Sequence, residues 1–191
     1  MNHLEIEYKT LLNKDEYNRL KKLFSHVSPV TQTNYYFDSN DSILKKNRMS
    51  LRIRTFQSEA EMTLKIPKDI GNFEYNHKLN IQKAKFLIKN GLEDDNSVTH
   101  LLTQKGIDVS SLWSYGHLTT ERREMKTSIG LMALDSNHYS NVTDYELEVE
   151  VDEPVSGEQN FRQFLDENRI NFKYAKSKVA RYSSTLKSFK E

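Results

Sequence analysis

Charged side chains that recur at every second position are the feature that most constrains how this 191-residue chain can fold. Apolar residues take the intervening positions, as in the stretches from Leu4 to Lys9 and from Tyr145 to Val151. Because successive side chains of a β-strand point to opposite faces, each such segment would have one apolar and one charged face. The strands predicted from this pattern, or from aromatic content, are residues 4–9, 35–37, 49–54, 62–66, 118–126, 129–134 and 145–151.

The charges have a fixed kind and spacing in each segment. The polar positions read Glu-x-Glu-x-Lys from Glu5, Arg-x-Arg from Arg52, Thr-x-Lys from Thr63 and Glu-x-Glu-x-Glu from Glu146. A single segment of this kind is most simply a half-buried strand whose polar face is in water. A solvated face needs no particular charge, however, and neutral polar residues would serve equally well. The four segments together therefore favour a sheet whose charged face lines a cavity.

Four amphipathic helices are predicted between and after these segments, because apolar residues recur there with helical spacing. Asn13 is expected to cap the first helix and Asp95 or Asn96 the second, which Gly106 would end. The predicted apolar stripes are Tyr17, Leu20, Phe24 and Val27, then Val98, Leu101 and Leu102, then Phe161, Phe164 and Leu165, and last Val179, Tyr182, Leu186 and Phe189. Strands and helices together predict one α+β domain over residues 1–191, mainly antiparallel β.

A sheet of this kind can close into a barrel, with one set of side chains inside and the other set covered by helices. Apolar residues such as Leu51, Ile53, Leu147 and Val149 would face the helices, and the charged residues would face the lumen. Buried charges without partners are very unfavourable, so such a lumen must be wet or must hold charged ligands. Carboxylates suit Mg²⁺ or Mn²⁺, whereas clustered Arg and Lys suit phosphate oxygens. A metal-chelated polyphosphate would satisfy both sets.

The composition excludes several other chemistries. The 28 Lys and Arg against 27 Asp and Glu give a net charge of +1, which does not support binding of nucleic acid. The absence of Cys excludes a disulfide, a thiolate zinc site, an iron–sulfur cluster and a Cys nucleophile. No Gly-rich nucleotide-binding loop is present, and no segment has the roughly 18 apolar residues of a membrane span. A cytoplasmic protein without a membrane or nucleic-acid partner is expected.

The segment Glu5-Ile6-Glu7-Tyr8-Lys9 resembles the Glu-x-Glu-x-Lys signature of the CYTH superfamily, also called the triphosphate tunnel metalloenzymes. Further blocks similar to those of the family follow in the same order and span nearly the whole chain. They are Tyr35-Tyr36-Phe37-Asp38, Leu51-Arg52-Ile53-Arg54, Thr63-Leu64-Lys65, Leu118 to Arg122, Leu134-Asp135 with Tyr139, Tyr145 to Glu150, and Lys176-Ser177-Lys178 with Arg181. The chain is similar to the small stand-alone bacterial members known as YjbK-like proteins.

The resemblance implies an eight-stranded closed antiparallel barrel with amphipathic helices packed outside it. It also implies a triphosphate bound in the tunnel with one or two Mg²⁺ or Mn²⁺ ions. The metal ligands that it implies are Glu5, Glu7, Asp135, Glu146, Glu148 and Glu150. The phosphate-binding residues that it implies are Lys9, Arg52, Arg54, Lys65, Arg122 and Lys178.

Within these sets, Glu5, Glu7 and Lys9 are expected to be catalytic. Further candidates are Glu74, Lys176 and Arg181. The register of the motifs favours Lys178 over Lys176 and Arg122 over Arg123.

The expected activity is metal-dependent hydrolysis of a triphosphate, and the candidate substrates are inorganic tripolyphosphate, thiamine triphosphate and nucleoside triphosphates. Two alternatives remain open. A class IV adenylate cyclase could use the same site, with a ribose hydroxyl attacking the α-phosphorus. A non-catalytic sensor of polyphosphate or nucleotides is the other, although a pure anion binder gains nothing from carboxylates at its site. The protein is expected to be a monomer or a homodimer.

Overall fold

The computed structural model describes residues 2–187, which form nine β-strands, six α-helices and a short 3₁₀ helix at Val109–Ser111. The strands are β1 His3–Glu5, β2 Glu7–Leu12, β3 Val30–Asp38, β4 Ser50–Phe56, β5 Glu59–Pro67, β6 Asn72–Asn80, β7 Trp113–Thr127, β8 Gly130–Tyr139 and β9 Val142–Glu150. The helices are α1 Lys14–Leu23, α2 Ile43–Lys46, α3 Ile81–Asn90, α4 Ser97–Gln104, α5 Pro154–Glu167 and α6 Lys178–Lys187. In this range no helix is both long enough and apolar enough to span a membrane.

The chain divides into two compact units, and the described part of unit 1 consists of residues 2–4 and 32–118. Its strands follow the order β1-β6-β5-β4-β3, and the first half of β7 lies next to β3. The pairs β3–β4, β4–β5 and β5–β6 are antiparallel, and Leu51 of β4 is opposite Leu64 of β5. These two side chains are buried with Leu87 of α3 and Leu102 of α4. The charged side chains of β4 and β5 therefore point to the opposite face of the sheet.

The described part of unit 2 consists of residues 5–31 and 119–187. Its strands follow the order β7-β8-β9-β2, and every neighbouring pair among them is antiparallel. Leu147 and Val149 of β9 are fully buried, in a core that includes Leu20 of α1 and Phe161 of α5. The apolar alternation of β9 thus faces helices, as the sequence predicts, and leaves its glutamates on the other face.

The seven predicted strands are confirmed, and the structure has two more. The sequence does not predict β6, because Asn, His and Lys residues within it dilute the apolar alternation. The strand predicted at residues 4–9 is divided at Ile6, whose carbonyl accepts a hydrogen bond from the Val151 amide (N···O 2.9 Å). The described chain therefore has nine strands where the resemblance implies eight. Closure of the sheet into a barrel, and one domain over residues 1–191, stay predictions.

The four predicted helices are confirmed as α1, α4, α5 and α6. Asn13 caps α1 through a reciprocal pair of hydrogen bonds with Glu16, and Asn96 caps α4. Two helices, α2 and α3, are not predicted from the sequence. Of the predicted stripe residues, Phe24 is the C-cap of α1 and Val27 lies beyond its end, and Phe189 lies outside the described residues.

Candidate active site

Three carboxylates meet on the charged face of unit 2, and we call them the acidic triad: Asp135 of β8 with Glu146 and Glu148 of β9. The strand register places Asp135 opposite Glu146, and Glu148 follows two residues along the same face. One carboxylate oxygen of each residue lies within 4.8 Å of the other two. The three residues are at most 8% exposed. Carboxylates this deeply buried require counter-charges close by.

Lys178, the first residue of α6, provides one of these counter-charges to all three carboxylates. Its Nζ lies 2.9 Å from Asp135 Oδ2 and 2.7 Å from Glu148 Oε1, and it also contacts Glu146 Oε1. Burial disfavours the charged form of Lys178, but the three carboxylates outweigh burial and raise the pKa of the ammonium. The protein's own ammonium is therefore bound as a cation at the centre of the triad.

Arg122 of β7 provides a second counter-charge from the neighbouring strand. It lies opposite Asp135 in the pairing of β7 with β8. Its Nε and Nη2 donate to the two oxygens of Asp135 at 2.8 and 2.6 Å, and Nη2 also donates to Glu148 Oε2 at 2.5 Å. This two-bond pairing with Asp135 fixes the orientation of the guanidinium as well as its position.

Arg181 of α6 provides a third counter-charge to the triad, next to Glu146. Its Nη1 lies 2.7 Å from Glu146 Oε2, and its Nε lies 2.9 Å from Asp144 Oδ2. Asp144 also accepts a hydrogen bond from the Tyr139 hydroxyl at 2.6 Å. Asp144 is not among the residues predicted from the sequence, although it lies two residues before Glu146 and shares that face of β9. Period-two spacing is the signal that could have found it.

The surroundings separate the pKa values within the triad. Burial raises the pKa of Glu146 to about 7, and the nearby Glu148 carboxylate adds to the rise. The Lys178 ammonium acts in the opposite direction but is outweighed. Burial acts in the same direction on Glu148, but Lys178 and Arg122 outweigh it and lower the pKa of Glu148 well below its usual range. The pKa of Asp135 is also lowered, because Arg122 and Lys178 outweigh its burial. Two of the three carboxylates are therefore ionised throughout the neutral range.

The N-terminal signature contributes Lys9 to the surroundings of the triad. Its Nζ lies 2.5 Å from Glu7 Oε1 and 3.9 Å from Glu148 Oε1. Glu7 lies opposite Glu150 in the pairing of β2 with β9, and Glu5 is half-buried in β1. Among the described residues, the group of oxygens within 4.8 Å contains three of the six predicted metal ligands and does not contain Glu5, Glu7 or Glu150.

Unit 1 has a group of opposite charge, which we call the basic cluster: Arg52 and Arg54 of β4 with Lys65 of β5. Arg52 and Lys65 share one buried carboxylate, Glu74 of β6. Glu74 Oε1 lies 2.7 Å from Lys65 Nζ and 3.7 Å from Arg52 Nη2. Arg54 Nε donates to Asn34 Oδ1 at 3.0 Å. Arg54 also lies opposite Glu61 of β5, so this face carries three positive charges beside the carboxylates of Glu74 and Glu61.

The carboxylate of the basic cluster is held ionised by its neighbours. Burial alone would raise the pKa of Glu74, but Arg52 and Lys65 outweigh it and lower that pKa to about 2. Arg52 Nε is buried and has no hydrogen-bond acceptor among residues 2–187. An unpaired, buried guanidinium donor is costly unless a ligand supplies the acceptor.

The sequence of nearly the whole chain matches a known protein family. Residues 3–183 match the model of the CYTH domain. The chain belongs to the CYTH domain family. It is 32% identical over 183 residues to the "Putative triphosphatase YjbK" of Bacillus subtilis (strain 168), and the match covers 94% of each chain.

The solved structures that are similar to this CYTH chain include two with a TM-score above 0.8. A "putative adenylate cyclase" from Bacillus halodurans is 31% identical, with a TM-score of 0.88, and the match covers 95% of this chain and 98% of the other. A Hippeastrum protein described as a "putative adenylyl cyclase" with a dominant triphosphatase activity is 24% identical, with a TM-score of 0.82. That match covers 95% of this chain and 96% of the other, and it shows a common fold.

The remaining candidates taken from the CYTH motifs are placed as follows. Arg122 contacts the acidic triad, whereas the guanidinium of Arg123 pairs with Glu121 at 2.8 Å. Lys178 contacts the triad, whereas Lys176 is exposed and its backbone carbonyl accepts a hydrogen bond from Arg181. The structure thus brings Arg122, Lys178 and Arg181 together with the triad.

The acidic triad has the donor atoms that a divalent cation of the Mg²⁺ or Mn²⁺ class prefers, because all its ligand atoms are carboxylate oxygens. The CYTH family is metal-dependent, and the triad is the group in the described chain that fits this requirement. The ammonium of Lys178, bound among the same oxygens, shows that the triad stabilises a cation.

Proposed function

We propose that this CYTH protein hydrolyses a triphosphate with one or two divalent cations, the first of them held at the acidic triad. The observation that carries the proposal is the convergence of three buried carboxylates next to Arg122 and Lys178. Carboxylate oxygens bind Mg²⁺ or Mn²⁺, and guanidinium and ammonium groups bind phosphate oxygens. A metal–triphosphate chelate presents both partners in one molecule.

The residues of the chain have separate tasks in this proposal. Asp135, Glu146 and Glu148 hold the cation. Lys9 and Arg122, which lie next to the triad, neutralise charge on the phosphate oxygens. When bound, the cation supplies further positive charge to those oxygens and lowers the pKa of a coordinated water. Phosphoryl transfer depends chiefly on such positioning and charge neutralisation, so no covalent intermediate with the protein is required.

The rest of the N-terminal signature is assigned on the family resemblance. Glu7 orients the Lys9 ammonium through their ion pair, and the cross-strand pair of Glu7 and Glu150 supports a role in holding a second cation. Glu5 is proposed as a ligand of that second cation. These assignments separate residues that touch the reacting phosphate from residues that hold the cations.

The basic cluster is proposed to contribute to triphosphate affinity. Arg52 and Lys65 share the single negative charge of Glu74, and Arg52 Nε has no acceptor within the described chain. Phosphate oxygens are acceptors of the kind that such donors bind most strongly. Loss of one of these side chains should therefore weaken substrate binding more than it slows the chemical step.

The proposal is tested by phosphate release from inorganic tripolyphosphate, thiamine triphosphate and ATP, each with Mg²⁺, with Mn²⁺ and with EDTA. We expect cation-dependent release from at least one substrate, and loss of that release in Asp135→Asn. The exposed Glu167 of α5 provides the matched control, Glu167→Gln, which should keep the wild-type rate. Absence of release from all three substrates with both cations would contradict the proposal.

A second reaction is favoured by one relative, since the Bacillus halodurans protein is described as a "putative adenylate cyclase". The ATP arm of the experiment separates the two reactions by their products. Hydrolysis yields ADP and phosphate or AMP and pyrophosphate, whereas cyclisation yields cyclic AMP and pyrophosphate. Cyclic AMP as the main product would replace hydrolysis by cyclisation at this site. Tight binding of ATP or tripolyphosphate without any turnover would indicate a sensor.

A further inference from the structure

We propose that Lys178 is a resident counter-ion of the acidic triad, and that the divalent cation must displace its ammonium before it can bind. The displaced ammonium then becomes available to the phosphates. The inference rests on the proposed function, because it assumes that the triad is the cation site. It assigns to Lys178 a task that phosphate binding alone does not include, namely competition with the metal.

Lys178 contacts the same three carboxylates that are the expected ligands of the cation. Lys178 Nζ contacts Asp135 Oδ2, Glu148 Oε1 and Glu146 Oε1, one oxygen from each carboxylate of the triad. Mg²⁺ binds carboxylate oxygens at about 2.1 Å. An ammonium within ion-pair distance of all three residues occupies the position that such an ion requires. The two cations therefore exclude each other.

The partners of the neighbouring cations explain why Lys178 is the one that leaves. Arg122 is held by two hydrogen bonds to Asp135 and a third to Glu148. Arg181 contacts Glu146 but is also held by two partners that do not belong to the triad, Asp144 and the backbone carbonyl of Lys176. Every ion pair of Lys178 that the structure describes is with a triad carboxylate. Its ammonium is also carried by a flexible stem of four carbons at the first residue of α6.

Displacement couples cation binding to triphosphate binding. When the cation takes the triad oxygens, the Lys178 ammonium loses its partners and needs new acceptors, which phosphate oxygens provide. A chelate of cation and triphosphate provides both a cation for the triad and phosphate oxygens for the Lys178 ammonium. The free cation provides only the first of these partners. We therefore expect the free cation to bind weakly and the chelate to bind strongly, with the two ligands favouring each other reciprocally.

The test is a titration of the full-length wild type and of Lys178→Met with Mn²⁺ alone, in which electron paramagnetic resonance measures the free and bound Mn²⁺. If the ammonium leaves the triad free in about one molecule in ten or fewer, its removal should tighten the Kd for Mn²⁺ about tenfold or more. The matched control is Lys22→Met at an exposed lysine of α1, which should keep the wild-type Kd. An equal or weaker Mn²⁺ affinity in Lys178→Met would overturn the inference.

A second measurement covers the case in which Lys178→Met folds poorly, since it leaves three buried carboxylates with fewer counter-charges. Lys178→Gln keeps a hydrogen-bond donor at the position and serves as the second variant. Mn²⁺ should raise the Tm of either variant by more than it raises that of the wild type, because the metal replaces the lost charge. A rise that is equal or smaller in both variants would also contradict the inference.

The two proposals fail in different ways. If wild type hydrolyses a triphosphate only with Mn²⁺ or Mg²⁺, but the Lys178 variants do not bind Mn²⁺ more tightly, the displacement is wrong and the proposed function stands. If neither wild type nor the variants bind Mn²⁺, with or without tripolyphosphate, and none releases phosphate, the proposed function fails and the displacement fails with it.

Discussion

The acidic triad of unit 2 and the basic cluster of unit 1 carry opposite charges, and each surrounds one residue of the other sign that contacts several of its members. Each lies on the charged face of antiparallel strands and is built from cross-strand neighbours, Asp135 with Glu146 in one unit and Lys65 with Glu74 in the other. In the triad, three carboxylates share one ammonium, that of Lys178. In the basic cluster, Arg52 and Lys65 share one carboxylate, that of Glu74.

In each unit, the shared residue of opposite sign has a distinct task, and we call it the minority charge: Lys178 in the triad and Glu74 in the basic cluster. The other charges of each cluster are its majority charges. The majority charges are the groups that we propose to bind ligand, cations in unit 2 and phosphates in unit 1. The shared residue of opposite sign keeps those charges together while no ligand neutralises them, since like charges buried side by side are strongly unfavourable. Loss of a majority charge should therefore damage function. Loss of the minority charge Glu74 should damage stability, whereas loss of Lys178 should also change cation binding.

The largest effect is expected when a majority charge of the triad is removed. Glu146→Gln should reduce kcat for cation-dependent triphosphate hydrolysis by about a thousandfold or more, because the cation contributes several kcal/mol of charge stabilisation. The rate is measured as phosphate release at saturating tripolyphosphate and Mn²⁺. The control Glu167→Gln on the exposed end of α5 should keep the wild-type kcat. A variant at position 146 within a few fold of wild type would remove Glu146 from the site.

The next largest effect is expected on the free energy of unfolding when Glu74, the minority charge of the basic cluster, is lost. This effect depends on pH. The pKa of Glu74 is about 2 in the folded protein, below its ordinary value of 4.5. Its ionised form is thus bound more favourably in the folded state than in the unfolded chain. The stabilisation is fully present above about pH 5 and is lost as the pH falls toward 2. At about 1.4 kcal/mol per pKa unit, it amounts to roughly 3 kcal/mol.

Urea unfolding of wild type and Glu74→Gln at several pH values measures this term. The difference in the free energy of unfolding should be largest near neutral pH and should shrink steadily below pH 5. Glu59→Gln, at an exposed position of β5, should show no such trend. A stability difference between wild type and Glu74→Gln that is the same at pH 7 and pH 3 would show that Glu74 is not held by its ionic partners.

A majority charge of the basic cluster should have a smaller and different effect. Arg52→Met should raise KM for the triphosphate about tenfold to a hundredfold, the range expected for a lost charge-assisted hydrogen bond, and should change kcat less. Steady-state kinetics separates the two parameters. Lys85→Met, at an exposed position of α3 in the same unit, is the control. If KM and kcat were both unchanged, Arg52 would have no part in the binding of substrate.

The smallest effect is expected when the N-terminal cap of a helix is removed, and it should be the same in both units. Asn13 begins α1 in unit 2 and Asn96 begins α4 in unit 1, each with reciprocal capping hydrogen bonds. Replacement of either residue by Ala should reduce the free energy of unfolding by about 1 kcal/mol and leave kcat unchanged. Urea unfolding and phosphate release measure the two quantities. A loss of activity in the folded variants would mean that these helices do more than support the sheet.

Much of the triad was predictable because its residues follow the two-residue period of a strand. Glu146 and Glu148 share a face for that reason alone, and Asp135 and Arg122 follow from the family resemblance. Asp144 has the same period and could have been found. The position of the Lys178 ammonium among three carboxylates could not be predicted, because it depends on where α6 begins relative to β8 and β9. That relation is set by tertiary packing and leaves no local pattern.

The fold was predictable to a similar extent. Strands with clear alternation were found, whereas β6 was missed because its polar residues interrupt the apolar period. Helix α3 was missed although Asn80 provides a capping signal and Ala84 and Leu87 lie on its buried face. The first strand is divided at Ile6 because its two parts pair with different strands, β1 with β6 and β2 with β9. Boundaries that depend on such contacts are not visible in local propensity.

The most direct test of the account is anomalous scattering from Mn²⁺ in crystals soaked with Mn²⁺ and a non-hydrolysable triphosphate analogue. We expect an anomalous peak at bonding distance, about 2.0–2.3 Å, from oxygens of Asp135, Glu146 and Glu148. The Lys178 ammonium should then have moved from those oxygens to the phosphates. A peak located away from all three carboxylates, with Lys178 still bound among them, would contradict the assignment of the triad as the cation site.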